Sequence, residues 1–170
     1  MNQVASAVNQ TLELNLVLDE ILVRVLEVTG YDCGLISYID RETEQLVLAV
    51  QHNLPDAMVE RLQAKGLEGT PCDLVFKSGK TIHIPNLETL PEDVLSLQQD
   101  LPAYWTYGNI EQTFNGPRKF GFKAYLGTPI VAKGRSLGTV CVFSSSQVSI
   151  PPRRITLIEA VGQQVGVAVD

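Results

Sequence analysis

Apolar residues recur at intervals of three and four between Ala5 and Thr29, through Leu14, Leu18, Ile21, Val25 and Val28. Glu13, Asp19, Glu20, Arg24 and Glu27 fall between them. This period matches the α-helical turn, so the pattern predicts a long amphipathic helix over about 5–29, and Gly30 occupies the usual terminating position. Leu12, Leu16, Leu22 and Leu26 make its apolar face wider than one packing surface requires, which leaves part of it for another chain. The period then shortens to two. "CGLISYID" places Cys33, Leu35, Ser37 and Ile39 on one face and Ile36 and Tyr38 on the other, and "QLVLAVQHN" follows after the polar connection "RETE". Two strands of a hairpin are expected, with Cys33 a core thiol.

"PDAMVERLQAKG" reads as a helix starting at Pro55 or Asp56 and ending at Gly66. In "GTPCDLVFKSGKTIHIPN" a second helix is written out in its end signals: Thr70 as N-cap, Pro71 at the first helical position, Asp73 in a capping-box-like Thr-x-x-Asp, and Gly79 at C′. The strand that follows puts Ile82 and Ile84 on one side and Thr81 and His83 on the other. Residues 87–121 are the least regular, with a short helix expected near "EDVLSLQQD". "KAYLGTPIVA" and "RSLGTVCVFSSS" are two further strands turned by Lys133 and Gly134. A closing helix over about 153–169 carries the stripe Ile155, Ile158, Val161, Val165 and Val169, together with Gly162 and Gly166. Small residues four apart permit close approach, either of this domain's own elements or of another chain. The order of elements favours an antiparallel sheet with both terminal helices on one face, leaving the other face to the middle segment.

At 170 residues, with 45% apolar and 19% charged residues, the composition is that of one soluble globular domain spanning 1–170. No apolar run reaches the roughly 18 residues of a membrane span, and the start lacks a secretion signal, so a cytoplasmic location is expected. Cys33, Cys72 and Cys141 form no CxxC and no zinc spacing, which predicts reduced thiols and no metal. The net charge of −6 argues against non-specific nucleic-acid binding. Between Glu111 and Glu159, however, there is no acidic residue, while Arg118, Lys119, Lys123, Lys133, Arg135, Arg153 and Arg154 lie there. Such a zone suits one anionic ligand or an acidic partner, or else cations dispersed over solvated faces.

Two features bear on chemistry. Cys72 lies in the first turn of its helix, where the helix dipole lowers a thiol's pKa and the neighbouring Asp73 opposes that. With His83 it could form a nucleophile and base. The second feature is the aromatic richness of the irregular segment and its border: Tyr104, Trp105, Tyr107, Phe114, Phe120, Phe122 and Tyr125. These residues either pack the loop onto the sheet or line a cavity beneath a lid.

Taken in order, "EVTGYDCGLISYID", "TPCDLVFKSGKTIHIPN", "GFKAYLGTPIVAKGRSLGTVCVFSSS" and "ITLIEAVGQQVGVAV" resemble a GAF domain, a small-molecule sensory module of bacterial signalling proteins. The likeness runs from about Leu12 to Val169, its most specific words being "YLGTPI", "LGTVCVF" and "SGKTIHIPN". It implies an α+β fold with a sheet of five to six strands in the order 2-1-5-4-3. It also implies terminal helices that form a parallel homodimer bundle, a ligand pocket under the middle segment, and an output domain in a longer chain, as in two-component sensors. The Asn-Lys-x-Asp-Glu type motif of cyclic-nucleotide-binding members is absent. The aromatic loop contains no cysteine or histidine, which excludes a covalent bilin at the usual position. Cys72 resembles the second bilin cysteine of some photoreceptors, without the first. Where free methionine sulfoxide reductases carry an Ala-Cys-Asp-like stretch, this chain has "AYLGTPI".

Three functions follow. The first is a sensory module whose pocket wall is formed by Tyr104, Trp105, Phe122 and Tyr125, with Lys123 or Arg118 meeting an anionic group and Cys72 and His83 at the rim. The second is a domain with a filled pocket that serves dimerisation only. The third is a thiol enzyme of the reductase type using Cys72 with His83. The identity of the ligand is not legible in the sequence.

Overall fold

The computed structural model describes residues 3–101 and 105–169. Helix α1 (Gln3–Thr29) leads into strands β1 (Cys33–Asp40) and β2 (Gln45–His52), then α2 (Asp56–Lys65), α3 (Pro71–Ser78) and β3 (Ile82–Ile84). Four short helices follow: α4 (Glu92–Leu95), α5 (Leu97–Asp100), α6 (Ile110–Thr113) and α7 (Asn115–Lys119). Strands β4 (Ala124–Ala132) and β5 (Arg135–Ser144) and helix α8 (Pro152–Val169) complete the chain.

The local signals act as their chemistry dictates. The Thr70 hydroxyl accepts the Asp73 amide, Pro71 begins α3, and Gly79 ends it in the left-handed region at φ 66. Asp73 does not complete the capping box on Thr70. Its carboxylate accepts the amide of Gly69, one residue further out, at 2.9 Å. Helix α6 has only four residues and is held by a reciprocal box in which Asn109 and Gln112 each accept the other's backbone amide. At the β4–β5 turn Lys133 and Gly134 both have positive φ, 53 and 77, the geometry whose twist matches a tight hairpin.

The strands form one antiparallel sheet in the order β2-β1-β5-β4-β3. Alternation along each strand divides the core in two. One face carries Leu35, Ile82, Ile84, Tyr125, Cys141 and Phe143 and is covered by α2, α3 and the short helices of the middle segment. The other carries Ile36, Leu126, Ile130, Val140 and Val142 and is covered by α1 and α8, through Leu18, Leu22, Ile158 and Val165. Gly162 and Gly166 serve the chain's own sheet: a Cβ at 162 would lie 2.7 Å from the Pro129 carbonyl oxygen, and one at 166 would collide with that of Val131. Among the described residues no helix is long and apolar enough to cross a membrane.

Candidate ligand cavity and the residues around it

On the face opposite the terminal helices a cavity of about 150 Å³ lies between α2, the start of α3, and α6 and α7. Leu35 of β1 and Phe143 of β5 form its floor; Met58 and Leu62, one turn apart on α2, form one wall, and Pro117 and Phe120 another. Polar groups enter at the rim through Arg61, Glu68, Thr70, Gln112 and Thr113, and Cys72 contributes a thiol. The site is therefore mainly apolar with a few convergent polar groups, the composition of small-molecule pockets.

The expected site residues are distributed unevenly around it. Cys72 lines the cavity and is 2% exposed. The neighbouring Cys141 thiol and burial push its thiol well above the ordinary value, the reverse of activation by a helix dipole. Phe122 and Tyr125 stand behind the floor: Phe122 stacks on Phe143 at 5.0 Å between ring centroids, and Tyr125, fully buried, lies 5.2 Å from the same ring. The Tyr125 hydroxyl is 3.1 Å from the Cys141 sulfur, and Phe114 meets its ring edge-on. Both rings pack the sheet and neither lines the cavity.

Trp105 is likewise a packing residue. It is buried against Tyr107 in a T-shaped pair at 5.0 Å, and the Lys77 ammonium lies 5.2 Å from its centroid and 5.0 Å from that of Tyr107. Its indole nitrogen has no partner among the described residues. Lys77 is paired with the buried Asp73 at 3.1 Å, so this cluster fastens the loop to α3. Tyr104 lies outside the described residues. Lys123 is exposed, and its backbone groups bridge the amide of Leu87 and the carbonyl of Ser144. Arg118 is occupied within the middle segment, donating to the carbonyls of Leu87 and Glu111 and to the side chains of Asn115 and Glu111. It meets no cavity.

His83 and Cys72 do not come together. Ile82 and Ile84 point to the cavity face, so alternation turns His83 to the terminal-helix face, where its Nε2 accepts the Ile150 amide at 3.3 Å. Burial lowers its pKa, only partly opposed by Asp93, and favours the neutral ring that this bond requires. A cysteine and histidine on opposite faces of a sheet cannot act as nucleophile and base.

Sequence reasoning overlooked the actual lining. Met58 and Leu62 are legible as the inward stripe of α2, but nothing local says that they meet Gln112 and Thr113, some fifty residues later.

A family model for the GAF domain matches residues 13–169. The chain belongs to the GAF family. The GAF domain region of a protein from Geobacter sulfurreducens superposes with a TM-score of 0.67 at 21% identity, covering 96% of this chain and 97% of that one. A domain ascribed to a two-component sensor histidine kinase from Sinorhizobium meliloti gives 0.63 at 12% identity, over 90% and 88% of the two chains. A type II free methionine-R-sulfoxide reductase from Thermoplasma acidophilum gives 0.63 at 10% identity, over 94% of each. These likenesses establish the GAF fold. No match was found among curated proteins.

Proposed function

We propose that this GAF domain is the sensory part of a cytoplasmic signal-transduction protein, taking a small molecule into the cavity beneath α6 and α7 and signalling through its terminal helices. One observation carries the reading: the cavity floor and the seat of α1 and α8 are opposite faces of the same strands, β1 and β5. Displacement of Leu35 or Phe143 by a ligand is passed across a single sheet to residues that support the helices. The likeness to a domain ascribed to a sensor histidine kinase supports a two-component setting with an output domain in a longer chain.

At about 150 Å³ the cavity is half the roughly 300 Å³ at which drug-sized pockets begin, so the ligand is small, with an apolar body and a polar end for Thr70, Thr113 or Gln112. Cys72 contacts it and the other sequence-predicted aromatics shape the floor from behind. A library of such molecules, screened by thermal unfolding and by Trp105 emission, should contain members that raise the midpoint in a concentration-dependent way. A screen in which no compound shifts either signal would favour the second reading, a GAF domain whose pocket is filled by its own side chains and which serves dimerisation only. The close packing of Phe114, Phe122, Tyr125 and Phe143 is the observation on that side.

A further inference from the structure

One cation at the cavity rim has no partner among the described residues. Arg61 stands on the same face of α2 as Met58 and Leu62, three residues after the first and one before the second, and all three line the cavity. Met58 and Leu62 are buried, so the Arg61 stem follows an inward apolar stripe, while the residue itself stays exposed. Its neighbours three and four positions away on the helix are Ala57, Met58, Ala64 and Lys65, none of them acidic. Among the described residues no carboxylate pairs with it and no acceptor is bonded to it. Arg118 differs in this respect, its guanidinium being consumed by two carbonyls and two side chains of the middle segment.

The other polar groups of the rim divide into those already spent and those still open. The Thr70 hydroxyl donates to the Leu67 carbonyl at 2.6 Å and accepts the Asp73 amide. The Thr113 hydroxyl donates to the Asn109 carbonyl at 3.3 Å. Glu68, the one carboxylate among the described lining residues, receives the Gln45 side-chain amide on one oxygen and the Tyr107 hydroxyl on the other, each at 3.2 Å. Gln112 gives its side-chain oxygen to the Asn109 backbone amide at 2.9 Å, which leaves its side-chain NH2 unspent. The open capacity is therefore donor capacity, a guanidinium on α2 and a primary amide on α6.

From this distribution we propose that the cavity is a site for small apolar monocarboxylates, the carboxylate held at the rim by Arg61 and the Gln112 NH2. The inference rests on the sensory reading of the cavity and names the class of its ligand. A guanidinium matches a carboxylate in a planar, two-bond geometry, and charge-assisted bonds of this kind are stronger than neutral ones. Below the rim the ligand's body meets Leu35, Met58, Leu62, Phe120 and Phe143. One water takes roughly 30 Å³, so a cavity of about 150 Å³ gives room for a hydrocarbon body of about four to six carbons. Glu68 sharpens the selection. A dicarboxylate brings a second negative charge to a rim with one open cation, and either leaves that charge beside Glu68 or carries it unpaired into an apolar interior. An α-amino acid brings an ammonium group to a rim whose only carboxylate already holds a donor on each oxygen.

Isocaproate is the probe, compared with isocaproamide, L-leucine and adipate. The chain has two methionines, and Met58 lines the cavity, so a titration followed at the isotope-labelled Met58 methyl, assigned with Met58→Leu, reads occupancy of this site directly. The expected result is a saturable shift with isocaproate and affinities about tenfold or more weaker for the other three compounds. Arg61→Gln should weaken isocaproate by about tenfold or more while leaving the affinity for isocaproamide unchanged, and Arg61→Lys should restore part of the loss. Lys65→Gln, one turn further along α2 and outside the cavity lining, should change neither. Arg61 is exposed and holds nothing else among the described residues, so its variants are expected to fold as the wild type does, which their unfolding midpoints without ligand check. Binding of isocaproamide or L-leucine as tight as that of isocaproate, or an unchanged isocaproate affinity in Arg61→Gln, would overturn the carboxylate class while leaving a ligand-taking cavity, and with it the sensory reading, in place. A Met58 methyl that does not move at millimolar isocaproate would overturn it as well, and the broader compound screen would then decide the sensory reading by itself.

Discussion

A methyl group at position 166 would run into the Val131 carbonyl oxygen, and one at 162 would stand 2.7 Å from that of Pro129. On helix propensity alone, replacing either glycine by alanine should stabilise α8 by about 1 kcal/mol. Here the neighbour is strand backbone, which cannot swing aside as a side chain can, and overpacking of that kind costs about 1–3 kcal/mol. Gly166→Ala is therefore expected to lower stability in urea unfolding, and Gly162→Ala to do so by less. A gain on either would show that α8 is free to lift from β4. At the same scale the sequence was read correctly for Cys33, buried as the alternation of β1 required, and incompletely for Cys72. Its place in a first helical turn suggested activation, but the turn is packed against Cys141, and burial defeats the dipole.

Helix α3 is the element on which the cavity face depends. Its caps define its ends, its first turn forms part of the cavity, and its second turn presents Lys77 to the aromatic pair of the loop. The Asp73 carboxylate that holds Lys77 is raised above its ordinary 3.8 because burial outweighs the help of the Gly69 amide and the Lys77 ammonium. A carboxyl whose folded pKa is raised binds its proton more tightly in the native state than in the unfolded chain. Its contribution to stability is therefore complete below about pH 4 and is lost as pH rises through the folded value. Asp73→Asn keeps an acceptor for the Gly69 amide and removes the titration, so unfolding free energy measured against pH should fall less steeply above pH 4 than in the wild type. An unchanged slope would mean that Asp73 ionises in the fold as it does in the open chain.

For the molecule as a whole, most of the exposed large apolar side chains among the described residues are on the terminal helices. Val8, Leu12, Leu16 and Val17 of α1 and Leu157 and Val167 of α8 are exposed, and an apolar groove of about 480 Å³ runs between the two helices along Val17, Ile21, Leu157 and Val161. Leu16 is 68% exposed in the single chain, so Leu16→Glu should change monomer stability by no more than about 0.5 kcal/mol. If the stripe joins two copies, as the proposed signalling route requires, the substitution buries a charge at each of two symmetric positions and should weaken association roughly tenfold or more. Sedimentation equilibrium of both proteins decides it. A wild-type chain that stays monomeric at high concentration would remove the dimer from the functional reading.

The elements and their ends could be read from the residues because they are set by short-range physics: the helical and strand periods, the Thr70 cap, the αL position of Gly79, the Lys133–Gly134 turn. The order of those elements carried an antiparallel sheet with both terminal helices on one face, and the motifs placed along it carried the resemblance to the GAF family, which implied the sheet order 2-1-5-4-3 that the structure has. The site depends on contacts between residues far apart in the chain. Whether an aromatic side chain lines a cavity or fills it, whether Arg118 faces a ligand or its own loop, and on which face His83 emerges next to which loop are decided by how α2, α3, α6 and α7 close over β1 and β5. Sequence fixes which side of a strand a residue takes; only the packing of several elements determines what stands opposite it. The placing of Arg61 and Gln112 on one cavity rim is of this second kind.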